Sequence, residues 1–370
     1  MHLYFSFALI FLASSQLFAQ NAVDKNIFES EKQKGKVEIL LQRSNVIWGF
    51  DFLSAHEIIY TERNGGISIF NLKTQTSTEL SGVPKVFNQG QGGMLDVSVV
   101  PLSKGKQILF TYSLESNGKN TTAVGKANIE KSQLKNLTRI FTANAWSKNK
   151  IHFGSRIAWE SPKVFYLSIG ERNERDLAQK LNTHNGKILR LTLEGKAAKG
   201  NPFENKKGAL PEIWSYGHRN PQGLTLDPKN NLIEAEFGPK GGDEVNLIKK
   251  GHNYGWPAIT YGREYWGPKI GDTHKPGMEQ PLVYWVPSIS PSNIAFYSGK
   301  LFPTWKENLF LANLSGQHLR RVVFDKNYKV LKQEVLLNNF RWRIRDVQEG
   351  PDGRLYISTD NGAIAALSPI

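Results

Sequence analysis

A recurring phrase limits what this chain can fold into more than any total does. It reads as a short apolar segment, a turn with Pro, Asp, Gly or Asn, a β-rich strand, a Gly turn and a further strand. Residues Ile47–Leu72 carry the first copy and Met94–Ser113 the second. Ser155–Arg172, completed by "GKILRLTL", is the third; Pro221–Pro239, completed by "DEVNLI", is the fourth. Ser292–Leu314 with "LRRVVF" is the fifth and Arg343–Leu367 the sixth. Each strand alternates or runs apolar over a few residues, rich in β-branched and aromatic side chains. Copies start roughly 45–70 residues apart, the spacing of propeller blades with loop insertions. One such unit cannot bury both its faces, so several must pack around an axis. The pattern predicts an all-β fold, a six-bladed β-propeller of four-stranded antiparallel blades. "GKVEILL" (Gly35–Leu41) is an extra strand, placed to complete the last blade and close the ring. A pair of β-sandwiches is the alternative use of the same strands. Asn173–Asn185 reads as a loop with a helical turn. Gly251–Tyr284, rich in Gly, Pro, Tyr and Trp, reads as a long functional loop.

Met1–Ala19 is apolar from Leu3 to Ala13 and then small and polar up to Ala19. It reads as a secretory signal peptide with a weak n-region. A membrane anchor is the alternative, but the run is short for a span. The remainder, residues 20–370, reads as a single propeller domain, exported to the periplasm or secreted. There is no cysteine. That excludes thiol catalysis, a zinc–thiolate site and an iron–sulfur cluster. The net charge is +14, but Lys and Arg are scattered and form no basic tract. An anionic small ligand or a negatively charged cell envelope fits that balance better than nucleic acid.

Loops at one mouth of a propeller converge on its axis. Polar residues stand immediately before the inner strand of several blades: Gln91 in "NQGQGGML", His152 in "KIHFGSR", His218-Arg219-Asn220 in "GHRNPQG", Arg343 and Arg345 in "RWRIRDV". Repetition of that placement points to a common site. A neutral imidazole at His152 can accept a proton. Arg219, Arg343 and Arg345 together ask for an anion with several carboxylates or phosphates. "EAEFGPKGGDEVNLIKKGHNYGWP" offers turn carbonyls at Gly238 and Pro239 with Asp243 and Glu244, hard oxygen donors of the kind calcium takes. A nucleophilic serine elbow, a P-loop and a dinucleotide fingerprint are all missing from the sequence.

At these motifs the chain resembles the soluble quinoprotein sugar dehydrogenases of the glucose/sorbosone dehydrogenase family, over about Val46–Ser368. The resemblance implies a six-bladed propeller holding pyrroloquinoline quinone (PQQ) and calcium at the axis. It implies oxidation of the anomeric hydroxyl of aldoses to lactones. His152 matches the general base and Arg219 the arginine beside the reacting quinone carbonyl. Asn220 and Gln91 match cofactor contacts, and Arg343 and Arg345 match the pair on its carboxylates. The Gly238 and Pro239 carbonyls match calcium ligands, with Glu244 and Tyr254 in the metal set. A diffusible acceptor would take the electrons. Three positions depart from the family pattern. Ile151 replaces an acid before the histidine, which leaves His152 to be oriented by another group such as a backbone carbonyl. Ser315 stands where Lys or Arg is usual, unless Arg320 or Arg321 reaches in. Glu171 stands where Asp is common. A non-enzymatic propeller that binds a glycan or protein is the alternative function, and a calcium-dependent lactonase a third.

Overall fold

The computed structural model describes residues 26–31 and 33–370. The leader expected over Met1–Ala19 lies outside the described residues. The chain forms six antiparallel sheets arranged as the blades of a propeller. Blade 1 is Ile47–Ser54, Glu57–Glu62, Ile67–Asn71 and Thr76–Glu79. Blade 2 begins at Met94–Val99 and ends at Gln133–Thr142. Blade 3 runs from Ile157–Ser161 to Ile213–Tyr216, blade 4 from Pro221–Leu226 to Val283–Trp285. Blade 5 runs from Pro291–Phe296 to Val330–Leu336. The first strand of every blade lies innermost and touches the first strands of its two neighbours around the whole ring.

Blade 6 combines both ends of the chain. Ile344–Glu349, Leu355–Thr359 and Ala363–Pro369 are followed in space by Gln33–Gln42, which pairs antiparallel with Ala363–Pro369. The ring therefore closes as the Gly35–Leu41 pattern predicts. The sheet then departs from four strands. Ile27–Ser30 adds a fifth at its edge, pairing with Gln33–Lys36. That strand is only four residues, Ile-Phe-Glu-Ser, so it carries no alternation a sequence reading would catch.

Among the described residues the core includes one apolar cluster in each of the six gaps between neighbouring blades, and a smaller one of Trp48, Phe87, Leu95 and Phe153. The gap between blades 2 and 3 holds Leu109, Val124, Phe165 and Leu189. The gap between blades 6 and 1 holds Phe50, Tyr60, Tyr356 and Ile364. Strands buried on both faces read as near-continuous apolar runs, as in Val164–Ile169, whereas the outer strand Val330–Leu336 alternates. Cluster burial is what holds the blades side by side. Among the described residues no helix is long and apolar enough to cross a membrane. The Asn173–Asn185 insertion contains one 3-10 turn, Arg175–Gln179.

The fifth strand also fastens blade 6 to blade 5. Phe28 is buried against Trp305 and Phe302, at ring distances of 5.9 and 6.2 Å, and Ser30 donates to Glu334 of the blade 5 edge at 3.1 Å. Truncating a buried Phe to Ala costs about 3–5 kcal/mol. Phe28→Ala is therefore expected to lower the unfolding free energy by about 3 kcal/mol in urea titration, with Glu29→Ala, an exposed residue on the same strand, near wild type.

Candidate functional site

The loops ahead of the inner strands do meet at one mouth. Gln91, before blade 2, accepts a bond from the backbone N–H of His152, before blade 3, at 2.8 Å. Asn220, before blade 4, accepts from the N–H of Gly154 at 3.2 Å. Arg345 of blade 6 donates to Gln222 of blade 4 at 3.1 Å. Blades 2, 3, 4 and 6 thus contribute to a single polar surface. Below it, Arg156 of blade 3 spans the axis. It donates to Asp96 at 2.6 Å, Asp346 at 3.2 Å and the carbonyl of Gln222 at 3.1 Å, and lies over Trp48.

His152 is buried, and its Nδ1 lies 2.5 Å from Oε1 of Glu171. The orienting group expected in place of an acid at Ile151 was a backbone carbonyl; it is instead the Glu171 carboxylate. Glu171 is itself 1% exposed, and among the described residues its Oε2 has no hydrogen-bond partner. Its backbone N–H donates to the carbonyl of Arg219 at 2.8 Å, and its carbonyl accepts from Asn185 at 3.0 Å. Burial pushes the imidazole pKa down; the bond to Glu171 opposes this, and Arg219 and Arg172 add to the fall. His152 is therefore neutral at ordinary pH, with Nδ1–H directed at the carboxylate and Nε2 left as the proton acceptor.

This geometry rests on unusual backbone. His152, Gly154 and Ser155 have φ of 55°, 64° and 87°, and Arg172 has 62°. Left-handed conformations at non-glycine residues carry strain of order 1–3 kcal/mol each and collect at functional sites. A Cβ at Gly170 would stand 2.1 Å from the His152 carbonyl, so only glycine lets the two loops approach this closely. Arg172 braces the bend. It donates to the carbonyls of Ile151, Asn120 and Asn149 and to the side chain of Asn120, stacks on Phe153 at 3.7 Å, and is pushed down to about 9 by burial.

The His218-Arg219-Asn220 loop is held from beneath by Glu236. That carboxylate meets His218 Nδ1 at 3.2 Å and accepts the Arg219 N–H at 2.5 Å. His218 is fully buried, stacked on Tyr254 and bonded to Ser215, so its role is to support the loop. The Arg219 guanidinium donates to the carbonyls of Phe237 and Gly238 at 3.1 and 3.0 Å and lies over Trp256. Asn220 is fully buried, yet its Nδ2 has no partner among the described residues. A buried amide donor left open at the mouth fits a ligand that accepts a hydrogen bond there. Arg343 and Arg345 both grip Asp360, at 2.9 Å each. Burial alone would raise the Asp360 pKa, but the two arginines hold it below the usual carboxylate range.

Gly238 sits in a turn pinned by Asp243, which accepts its N–H at 2.8 Å. The other oxygen of Asp243 accepts from Ser288 Oγ and from the N–H groups of Ile289 and Ser290. Behind the turn, His218, Glu234 and Glu236 bring ligand atoms within 4.8 Å of one another. Glu244 pairs with Glu236 across the strands, and a cavity of about 10 Å³ is lined by Glu236, Gly238, Glu244 and Tyr254. Burial and the neighbouring Glu236 push Glu234 and Glu244 well above the ordinary carboxylate range. Glu236 and Glu244 line a space with room for about one atom, which Arg219 also borders, and carboxylates packed this closely fit a hard cation. The Tyr254 phenol is occupied, donating to the Leu247 carbonyl at 2.6 Å and accepting the Lys249 N–H. Glu234 and Glu236 escaped the sequence reading, although the "EAE" spacing on a strand puts both on one face opposite Glu244 and Asn246.

Arg320 and Arg321 do not reach Ser315. Arg320 bonds Gln333 and lies over Trp285; Arg321 pairs with Glu334 and Asn308. Ser315 faces a cleft of 550 Å³ that also carries Pro239, Lys240, Arg263, Tyr265, Val286, Ser288 and Ser290.

A six-bladed propeller with a poised imidazole, an open amide and clustered guanidiniums at one mouth is built to bind an anionic, oxygen-rich ligand beside a base. The model of the glucose/sorbosone dehydrogenase family matches residues 44–366, and the chain belongs to that family. It is 38% identical to the aldose sugar dehydrogenase YliI of Escherichia coli K12, over 90% of this chain and 92% of that one. It is 27% identical to quinoprotein glucose dehydrogenase B of Acinetobacter calcoaceticus, over 94% and 91%. Its fold is similar to the crystal structure of the soluble E. coli aldose sugar dehydrogenase in the apo form, with a TM-score of 0.86, 36% identity and coverage of 91% and 100%. It is also similar to the PQQ-bound aldose sugar dehydrogenase of Streptomyces coelicolor, with a TM-score of 0.77, 29% identity and coverage of 91% and 98%.

The insertion 173–185 couples the Glu171 loop to the Arg219 loop through one buried ammonium. Lys187 donates to the carbonyls of Leu177, Ala178 and Asn185 at 3.1, 2.9 and 2.5 Å. Ala178 in turn accepts the Gly217 N–H. Leaving a buried acceptor unpaired costs about 1–3 kcal/mol. Lys187→Met is expected to lose stability of that order in urea titration, with faster amide exchange confined to residues 173–186 and 217.

Proposed function

We propose that this chain is a PQQ-dependent aldose sugar dehydrogenase, an oxidoreductase that converts the anomeric hydroxyl of an aldose to a lactone and passes electrons to a diffusible acceptor. The observation that carries the chemistry is the buried His152–Glu171 pair, 2.5 Å apart, with Arg219 near enough to help depress the imidazole pKa. When bound, PQQ supplies a two-electron acceptor for the hydride of the anomeric carbon. The protein's part is to hold, orient and deprotonate. Nε2 of His152 takes the hydroxyl proton, and Glu171 keeps the tautomer that makes this possible and stabilises the imidazolium formed. Arg219, fixed by two carbonyls, presents a positive charge where negative charge develops on a ligand oxygen. Asn220 offers its open N–H, and Arg343 and Arg345, although shared with Asp360, offer positive charge for a carboxylate. Gln91 sets the His152 backbone in place.

The Gly238 and Pro239 carbonyls, with the Glu244 carboxylate, are the proposed calcium ligands; Tyr254, expected in that set, has its phenol taken up by Leu247 and Lys249 and is left out of it. The bond from Arg219 uses one lone pair of the Gly238 oxygen and leaves the other. The carboxylate group behind them supports a cation, because like charges packed this tightly cannot all ionise unaided. The aldose sits against Tyr265 and Val286, both well exposed on the cleft wall. Aromatic and aliphatic faces suit the C–H face of a sugar ring. The Met1–Ala19 segment supports export to the periplasm or medium.

The other two functions fit less well. A binding surface alone does not explain a strained, acid-paired imidazole. A lactonase needs free carboxylates at the axis, whereas Asp96 and Asp346 share Arg156.

Two outcomes test this function. His152→Ala and Glu171→Gln are each expected to bind PQQ nearly as wild type and to lose about 10²–10⁴-fold in kcat. Glu171 raises the imidazole pKa, so its removal shifts the acid limb of the residual pH–rate profile to lower pH. A Glu171→Gln protein with unchanged kcat on every aldose contradicts the roles. Exhaustive calcium chelation of the holoprotein is expected to release PQQ, seen as loss of quinone absorbance, and to lower Tm, since a ligand bound only by the native state stabilises it.

A further inference from the structure

The guanidiniums assigned to the cofactor are not fully available to it. Arg343 and Arg345 share Asp360, and the three site arginines with that one carboxylate leave two net positive charges. A tricarboxylate such as PQQ brings three negative ones. The proposed calcium offsets part of that charge at the Gly238 turn, but a carboxylate that reaches beyond the calcium and the shared Arg343–Arg345–Asp360 group still gains from a cation of its own, because a carboxylate removed from water without one is costly.

The cleft beside the site supplies it. Arg343 donates to the Leu314 carbonyl at 3.3 Å, so Ser315 begins the cleft directly beside that arginine. From Ser315 the wall runs through Ser290, bonded to it at 2.8 Å, and Ser288 to the Pro239 turn. At that end stand Lys240 and Arg263. Their backbones bridge one another, which brings both side chains to the same rim. Both are exposed, and among the described residues neither has a carboxylate partner; the neighbouring ion pair of this loop, Arg175–Glu264 at 2.6 Å, leaves Arg263 out. The nearer-looking cations of the sequence, Arg320 and Arg321, are committed to blade 5. We propose that Lys240 and Arg263 form a second cationic clamp, which holds a cofactor carboxylate at the far end of the serine-lined cleft. This rests on the PQQ reading and adds two binding residues to it.

The test is an equilibrium titration of PQQ into apoprotein at fixed calcium, followed by fluorescence quenching. Wild type, Lys240→Gln, Arg263→Gln, the double variant and Lys269→Gln are compared. Lys269 is an exposed cation of the same loop that does not line the cleft. Each single change in the clamp is expected to weaken binding about tenfold and the double change about a hundredfold, with Lys269→Gln near wild type. The salt dependence of binding should flatten in the double variant. Adding Ser315→Lys to it should recover about tenfold by placing a cation on the same wall. Tm of the apoproteins should not move, since both side chains are exposed. A double variant that binds within about twofold of wild type overturns the clamp. So does normal PQQ affinity with a raised KM for the sugar, which assigns the two cations to substrate. If the wild type itself takes up no PQQ at any calcium concentration, the quinone reading falls and the clamp falls with it.

Discussion

One guanidinium joins the whole ring. Arg156 sits at the axis, buried, and through Asp96, Asp346 and Gln222 it draws together the inner strands of blades 2, 3, 4 and 6. Asp346 extends the network to blade 1 through the Phe50 N–H and to blade 5 through Asn293. Burial raises the pKa of both aspartates, and the arginine opposes that rise. Removing one partner of such a group would strand a buried charge, a loss of several kcal/mol. The apolar clusters in the gaps each hold two neighbouring blades. The axial network is where the inner strands of all six meet, and the mouth loops spring from those same strands.

That rigid floor explains how the site tolerates strain. His152 and Arg172 occupy left-handed backbone on either side of the Glu171 contact. Such conformations persist only where surroundings over-determine them. Here Arg172 ties three carbonyls from two segments, Lys187 ties three more carbonyls, and Asn185 secures Glu171. A neutral imidazole, a carboxylate and an arginine are thereby kept close without a hydration shell to separate them. Pre-organised polarity of this kind is what stabilises developing charge.

The blades were legible because each strand buries a face against its neighbours, and burial writes itself as alternation or apolar runs. The closing strand at Gly35–Leu41 was legible for the same reason. Ile27–Ser30 was not, since one Phe does its anchoring. Gln91, His152, Arg219 and Arg343 could be placed at a common mouth because each precedes an inner strand. The partner of His152 could not. Glu171 follows the second strand of its blade, and its approach depends on Gly170 allowing 2.1 Å between a Cβ position and a carbonyl. Arg320 and Arg321 looked available in one dimension. Pairing of His318–Phe324 with Val330–Leu336 sends them to Gln333 and Glu334 instead.

The closure of blade 6 also bears on how the molecule is made. Val37 finds Leu367, and Gln42 finds Ala363, so the earliest strands of the propeller wait for the last. Until then five blades can assemble by local pairing, but the ring stays an open arc with an unpaired edge at each end. Long-range closure of this kind slows folding and exposes strands to the wrong partners. The waiting strand carries Lys34, Lys36 and Glu38 among its apolar residues. Those charges discourage pairing with another copy while the final blade is still being synthesised.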